Sequence, residues 1–161
     1  DLFDNIICFE SIYYFNNIKS FLNESKRTLK SEGKLLISFC NNQLYDFTPS
    51  KFSTNYFTIP QFNNLLKEEG FSHIKFYGFQ DVKDIPLRQK FLRPLKFIAS
   101  FLHLIPGSMK NKQLLKKLFF GELITMPRHI EENLFPYEEP EELNATLNNR
   151  AHKILYCSAE A

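Results

Sequence analysis

Three observations predict an α/β fold that begins with a pair of parallel strands. Phe3 to Phe9 (FDNIICF) and Lys34 to Phe39 (KLLISF) are short apolar runs of strand length, of the kind buried on both faces of a parallel sheet. Between them Ile18, Phe21, Leu22, Ser25 and Leu29 recur at three- and four-residue spacing, the stripe of a helix. Strand, helix and strand within about 35 residues make a βαβ unit, whose crossover is almost always right-handed.

The remaining elements follow in order. Asn17 caps the first helix, and Gly33 is expected to supply the left-handed residue that ends it. A second helix, Ile59 to Glu69, carries the clearest local signature. Thr58 and Gln61 form a capping box, and Phe57 and Phe62 stand at the two places of a hydrophobic staple. Gly70 follows the helix, and Phe71 can meet Leu66 in the contact of a Schellman turn. His73 to Phe79 alternates, with Ile74 and Phe76 on one face and His73 and Lys75 on the other, as in a strand with unequal faces. Lys153 to Ser158 (KILYCS) reads as a last strand.

Between those last two strands lie about 70 residues, far more than an ordinary connection holds. Residues 80–150 are therefore expected to form a helical cap inserted between a core of residues 1–79 and a final strand in 151–161. Phe91, Leu95, Ile98, Leu102 and Ile105 fall on one helical stripe, and Gln113 to Phe120 suggests another short helix.

Composition excludes several function classes. With 43% hydrophobic and 16% aromatic residues in 161, the chain can bury a core and is not disordered. A net charge of +2 argues against a nucleic-acid binder that works by neutralising phosphates. The charges are segregated, however: eight Lys or Arg and no acidic residue lie between Pro86 and Gly121, and seven acidic residues lie between Glu122 and Glu142. Three cysteines without a CxxC pair indicate neither a disulfide framework nor a zinc site, and fit a reducing, cytoplasmic setting. No metal ligands stand at metal spacing. Phe91 to Ile105, interrupted by Arg93, Lys96 and His103, falls short of the roughly 20 apolar residues of a spanning helix. Asp1, not Met, precedes the first strand, so the sequence is expected to be cut from a longer chain.

The stretch FDNIICFESIYYFNNIKSFLNESKRTLKSEGKLLISF resembles the fourth strand, following helix and fifth strand of class I S-adenosylmethionine-dependent methyltransferases of the small-molecule, type 11/12-like branch. Phe3, Asp4, Glu10, Leu29, Lys30 and Gly33 match that pattern, with Ser31 and Glu32 replacing a Pro and a Gly. YFTIPQFNNLLKEEGF is similar to the family's fifth helix and AHKILYCSAEA to its closing strand. The resemblance implies a partial Rossmann-like sheet, strands four to seven, with the helical insertion before a reversed last strand. It also implies S-adenosyl-L-methionine as methyl donor, with the backbone at Cys8 and Phe9 and the side chain of Glu10 bordering it.

None of the five glycines forms the Gly-x-Gly of the family's donor loop, so the chain by itself is expected to bind the donor weakly or not at all. Many relatives carry a His four residues after the acidic position, where this chain has Tyr14; near neutral pH a tyrosine positions substrate better than it takes a proton. Tyr14 and Asn41 are the candidate substrate contacts, and no general base is assigned. His103 and His129 are candidates only through the cap, whereas His73 and His152 are expected to be structural. The acceptor implied is a small or hydrophobic, lipid-like molecule. The basic stretch 86–120 reads first as a solvated lid, and secondly as a peripheral contact with an anionic membrane, to which each Lys or Arg adds about 1 kcal/mol. The rival function is a noncatalytic α/β module that binds membrane or a protein partner through its basic helices.

Overall fold

The computed structural model describes residues 2–82, 111, 113, 117, 127–129, 131, 134 and 137–161. The chain divides into two compact units, one of Asp1–Asp84 with Pro140–Ala161 and the other of Ile85–Glu139. The helical stripe from Phe91 to Ile105, His103, most of Gln113–Phe120 and most of 86–120 lie outside the described residues. In the second unit, His129 is exposed.

In the first unit β1 (Phe3–Phe9), a single 3-10 turn (Ile12–Tyr14), α1 (Ile18–Thr28), β2 (Leu29–Cys40), α2 (Ile59–Glu68), β3 (Ser72–Asp81), β4 (Glu141–Leu143) and β5 (His152–Glu160) follow in order. The strands form one sheet in the order β1-β2-β5-β3-β4. β1 and β2 are parallel. β5 enters between β2 and β3 and runs antiparallel to both, so the reversed last strand is present. The three-residue β4 extends the far edge inside the stretch read from sequence as insertion.

Register places Cys8, Ile37, Cys157 and Phe76 side by side across four strands, and all four are buried. Both helices bury their apolar stripes with this face: Leu22 from α1, and Ile59, Phe62 and Leu66 from α2, each contributing about 2 kcal/mol or more. The Phe39 and Phe62 rings meet edge-on at 5.2 Å. The next row, Phe9, Ser38, Tyr156 and Tyr77, faces the other way. On that face Phe3, Ile7 and Phe9 are exposed by half or more. The expectation that β1 is buried on both faces is thus corrected, because among the described residues β1 is an edge strand and both helices cover the opposite face.

The local signals act as the sequence suggests in α2. Thr58 Oγ1 accepts from the Gln61 N–H at 3.3 Å, and Gln61 Oε1 accepts from the Thr58 N–H at 3.0 Å. Pro60 sits in the first turn, where its missing N–H costs nothing. Gly70 adopts φ 82°, and the Phe71 N–H donates to Leu66 O and the Gly70 N–H to Lys67 O, each at 3.0 Å. Those are the two bonds of a Schellman turn.

α1 ends differently from expectation. Asn17 caps its start, accepting from the Ser20 N–H at 3.1 Å, but the helix closes into extended backbone at Leu29, and the left-handed residue is Glu32, φ 66°, inside β2 where its register against β1 shifts. Gly33 is needed there for space, since a Cβ would stand 2.8 Å from the Lys30 carbonyl oxygen. Gly78 has a similar use in β3: a Cβ there would meet the ring of His152 at 2.4 Å.

Candidate functional site

The carboxyl ends of β1 and β2 lie side by side, with Phe9 paired to Ser38. In open α/β sheets this is where ligands bind, and three of the sequence candidates, Cys8, Phe9 and Glu10, sit there in succession. Cys8 faces the core, its Sγ 3.3 Å from Ser11 Oγ, and burial pushes its thiol pKa up. Phe9 turns an exposed ring to the uncovered face, edge-on to Tyr156 at 5.9 Å.

Glu10 leaves the strand in the left-handed region, φ 51°, which for a residue with a Cβ costs about 1 kcal/mol or more. Its N–H donates to Ser38 O at 3.0 Å and lies 3.1 Å from Ser38 Oγ. Ser38 Oγ in turn donates to Glu10 Oε1 at 3.2 Å. On the other side the Tyr13 hydroxyl donates to Glu10 Oε2 at 2.9 Å and accepts from the Cys40 N–H. Tyr13 lies in the 3-10 turn that follows Glu10, and its hydroxyl reaches back to the Glu10 carboxylate. Its phenol is buried, and burial first, then the neighbouring Cys40 side chain, raise its pKa far above the tyrosine range, against the lowering effect of the Cys40 N–H. The Cys40 thiol is also pushed up, chiefly by burial.

The loop that follows β2 closes on this turn. The Thr54 N–H and hydroxyl both donate to Tyr13 O, at 2.8 and 2.9 Å, and Asn55 Nδ2 donates to Phe15 O at 2.6 Å. The Tyr56 ring lies 5.5 Å from that of Tyr13 and 4.8 Å from that of Phe47. Tyr14, at the outer end of the turn, is 57% exposed and edge-on to Tyr13 at 6.0 Å.

Asn41 is placed apart from these groups. It is buried, its Nδ2 donates to Asn149 O and His152 O at 2.9 Å each, and its Oδ1 accepts from the Gln43 N–H. The amide therefore pins the start of β5 to the end of β2. His152 beside it is buried between Asn149 and Glu141, and His73 is exposed on β3 near Glu160. Cys8, Phe9 and Glu10 are thus consecutive at the end of β1, Tyr14 stands at the outer end of the turn that follows, and Asn41 is hydrogen-bonded to Asn149 and His152. Sequence reasoning missed Tyr13 and Ser38; the only signal was a Tyr three residues beyond Glu10, and Ser38 became visible once the strand register was known.

No family model matches the chain, and no curated protein matches it in sequence. Among solved structures it is similar to a SAM dependent methyltransferase from Archaeoglobus fulgidus, with a TM-score of 0.54 and 10% identity over 99% of this chain and 60% of that one. The two share a fold. Phosphoethanolamine N-methyltransferase 2 from Haemonchus contortus, in complex with phosphomonomethylethanolamine and S-adenosylhomocysteine, gives a TM-score of 0.47 at 15% identity over 98% of this chain and 33% of that one. The chain spans 60% of the length of the Archaeoglobus protein.

An adenosyl donor tests the site in two ways. It needs a backbone cradle open enough for close approach and polar groups that fix its ribose. Among the described residues the held Glu10 carboxylate is an exposed acceptor at the strand ends, and no Gly-x-Gly occurs in the 161 residues to make the cradle.

Proposed function

We propose that this chain is the carboxyl-terminal part of a class I S-adenosylmethionine-dependent methyltransferase. In this reading β1, β2, β3 and β5 are the fourth to seventh strands of a Rossmann-like sheet, and the glycine-rich donor loop lies on residues that precede Asp1. The observation that carries the reading is β5, antiparallel between β2 and β3 beside a parallel β1-β2 pair. A dehydrogenase-type sheet, with all strands parallel, would lack it. The similarity in fold to the Archaeoglobus methyltransferase supports the same choice.

The donor, when bound, supplies an activated methyl group on a sulfonium that leaves as a neutral thioether. What the protein contributes to such an in-line displacement is mainly alignment. The backbone at Cys8 and Phe9 and the carboxylate of Glu10 would border the donor. Tyr14 projects outward beside them and would contact the acceptor; Asn41 would act on the acceptor only indirectly, through the loop it fixes. Tyr13 holds its proton too tightly to serve as a base. The acceptor class proposed is a small or lipid-like molecule, selected by the cap of residues 80–150, whose basic stretch 86–120 would form a solvated lid first and a peripheral contact with anionic membrane second, in a reducing, cytoplasmic compartment.

The test is calorimetric titration with S-adenosylhomocysteine of the natural protein that carries this sequence, beside residues 1–161 alone. Stoichiometric binding by the former and weak or no binding by the latter is expected. Tight binding by residues 1–161 would refute the division of the donor site. No binding by either, together with no transfer of labelled methyl to a lipid and small-molecule extract, would sink the methyltransferase reading and favour a binding module.

A further inference from the structure

We infer that Tyr13 is a positioning residue that, with Ser38, presents Glu10 as a fixed hydrogen-bond acceptor at the joined ends of β1 and β2. The inference rests on the methyltransferase reading for what Glu10 faces, but the direction of each hydrogen bond follows from the geometry alone. A backbone N–H can only donate. The Cys40 N–H points at the Tyr13 hydroxyl, and the Glu10 N–H at the Ser38 hydroxyl. Each hydroxyl therefore uses its oxygen to accept from a backbone amide and has its single hydrogen left to give. Both hydrogens go to Glu10, from Tyr13 to Oε2 at 2.9 Å and from Ser38 to Oε1 at 3.2 Å. The Cys40 amide is thus relayed through the Tyr13 hydroxyl onto the carboxylate, while the Glu10 N–H is shared between Ser38 O at 3.0 Å and Ser38 Oγ at 3.1 Å, and both hydroxyls still converge on one carboxylate.

Neither relay is free to turn away. Tyr13 is 7% and Ser38 2% exposed, and buried polar groups of this kind keep their hydrogen-bond partners. Burial keeps the Tyr13 phenol protonated and hence a donor. Glu10 itself is exposed, with its backbone held at φ 51° by the bonds of its N–H to Ser38. A long, flexible acidic side chain in that position would otherwise sample many rotamers, and fixing it beforehand removes that ordering cost from ligand binding. Tyr13 spans both strand ends, so it also keeps the loops after β1 and β2 in one arrangement, reinforced by the bonds of Thr54 to Tyr13 O.

The experiment is a double-mutant cycle on the natural protein that carries this sequence, read as the dissociation constant of S-adenosylhomocysteine. Tyr13→Phe should weaken binding by about tenfold, as expected for loss of one hydrogen bond to a charged group. In a Glu10→Gln background the same substitution should change it by less than about twofold, because the group it acts through is already altered. Ser38→Ala should show the same pattern, and melting curves confirm that each variant is folded at the assay temperature. Equal losses from Tyr13→Phe and Ser38→Ala with and without Glu10 would mean that they only hold the fold, and would overturn the inference alone. No binding by the unsubstituted protein would instead overturn the methyltransferase reading, and this role of Tyr13 with it.

Discussion

At the scale of single residues, Tyr13 couples the candidate site to stability. Its phenol is raised by burial and then by the Cys40 side chain beside it, whereas an unfolded chain releases a tyrosine proton near pH 10. Above about pH 10 the unfolded state therefore loses a proton that the folded state retains, and stability falls as pH rises. Cys8, Cys40 and Cys157, all raised chiefly by burial, add the same sign from about pH 8.5 upward. Tyr13→Phe should lower stability near neutral pH by about 1 kcal/mol or more, because the Cys40 N–H loses its acceptor. It should also flatten the decline above pH 10. Urea melts at pH 7, 9 and 10.5 check both, and an unchanged alkaline slope in the variant would show that Tyr13 is not the group that titrates.

Glu10 was legible in the sequence because position selects it: an acidic residue directly after a strand in a βαβ unit. Its partners were not. Ser38 depends on the register of two strands separated by a helix, and Tyr13 on a single 3-10 turn with no periodic pattern to announce it. Asn41 was singled out by the same positional rule as Glu10. What the rule could not foresee is that its amide closes onto residues more than a hundred positions later.

At the scale of elements, α2 and α1 contrast in how their ends are encoded. The start of α2 uses a reciprocal bond between residues three apart, and its stop uses a glycine at φ 82°, so both ends are written in a few neighbouring residues. Such short-range bonds survive changes in tertiary context, which is why the bounds read from sequence lie within one residue of those found. The end of α1 is decided elsewhere. β2 starts at once after the helix, Leu29 is buried in the core, and the register shift at Glu32 and Gly33 is fitted against the Lys30 backbone. A glycine there suggested a helix cap, but what it relieves is steric.

The same contrast makes a prediction for α2. Thr58→Ala should cost about 1 kcal/mol by removing the acceptor for the Gln61 N–H. Gly70→Ala should cost a similar amount, since φ 82° is strained for any residue with a Cβ. The two sites lie at opposite ends of the helix, so the double variant should show the sum within about 0.5 kcal/mol. Chemical denaturation of the three variants measures this; a double variant no worse than either single one would mean that α2 frays as a unit and its caps are not independent.

At the scale of the whole molecule, the described residues cover the sheet with helices on one face and with none on the other. The row through Cys8 and Ile37 is covered by α1 and α2, while Phe3, Ile7 and Phe9 stay exposed on the reverse, next to the half-buried Tyr77, Phe79 and Tyr156. Among the described residues β1 also has no neighbour on its outer edge, so its backbone groups on that side are unpaired within the sheet. An apolar face joined to an open strand edge is the arrangement that draws in another chain, because pairing satisfies the edge and burial removes the face from water in one step. Residues 1–161 on their own should therefore self-associate. Light scattering coupled to size-exclusion chromatography at tens of micromolar should give a mass above the monomer, or a loss of soluble material. Phe3→Lys with Ile7→Lys should restore a monomer, since both side chains lie on the exposed face and neither contributes to the core. A monomer for the unsubstituted chain across that range would mean that the open face is stable in water as it stands. In that case β1 would be an edge strand that needs no neighbour, and its assignment as the fourth strand of a longer sheet would lose its physical motive.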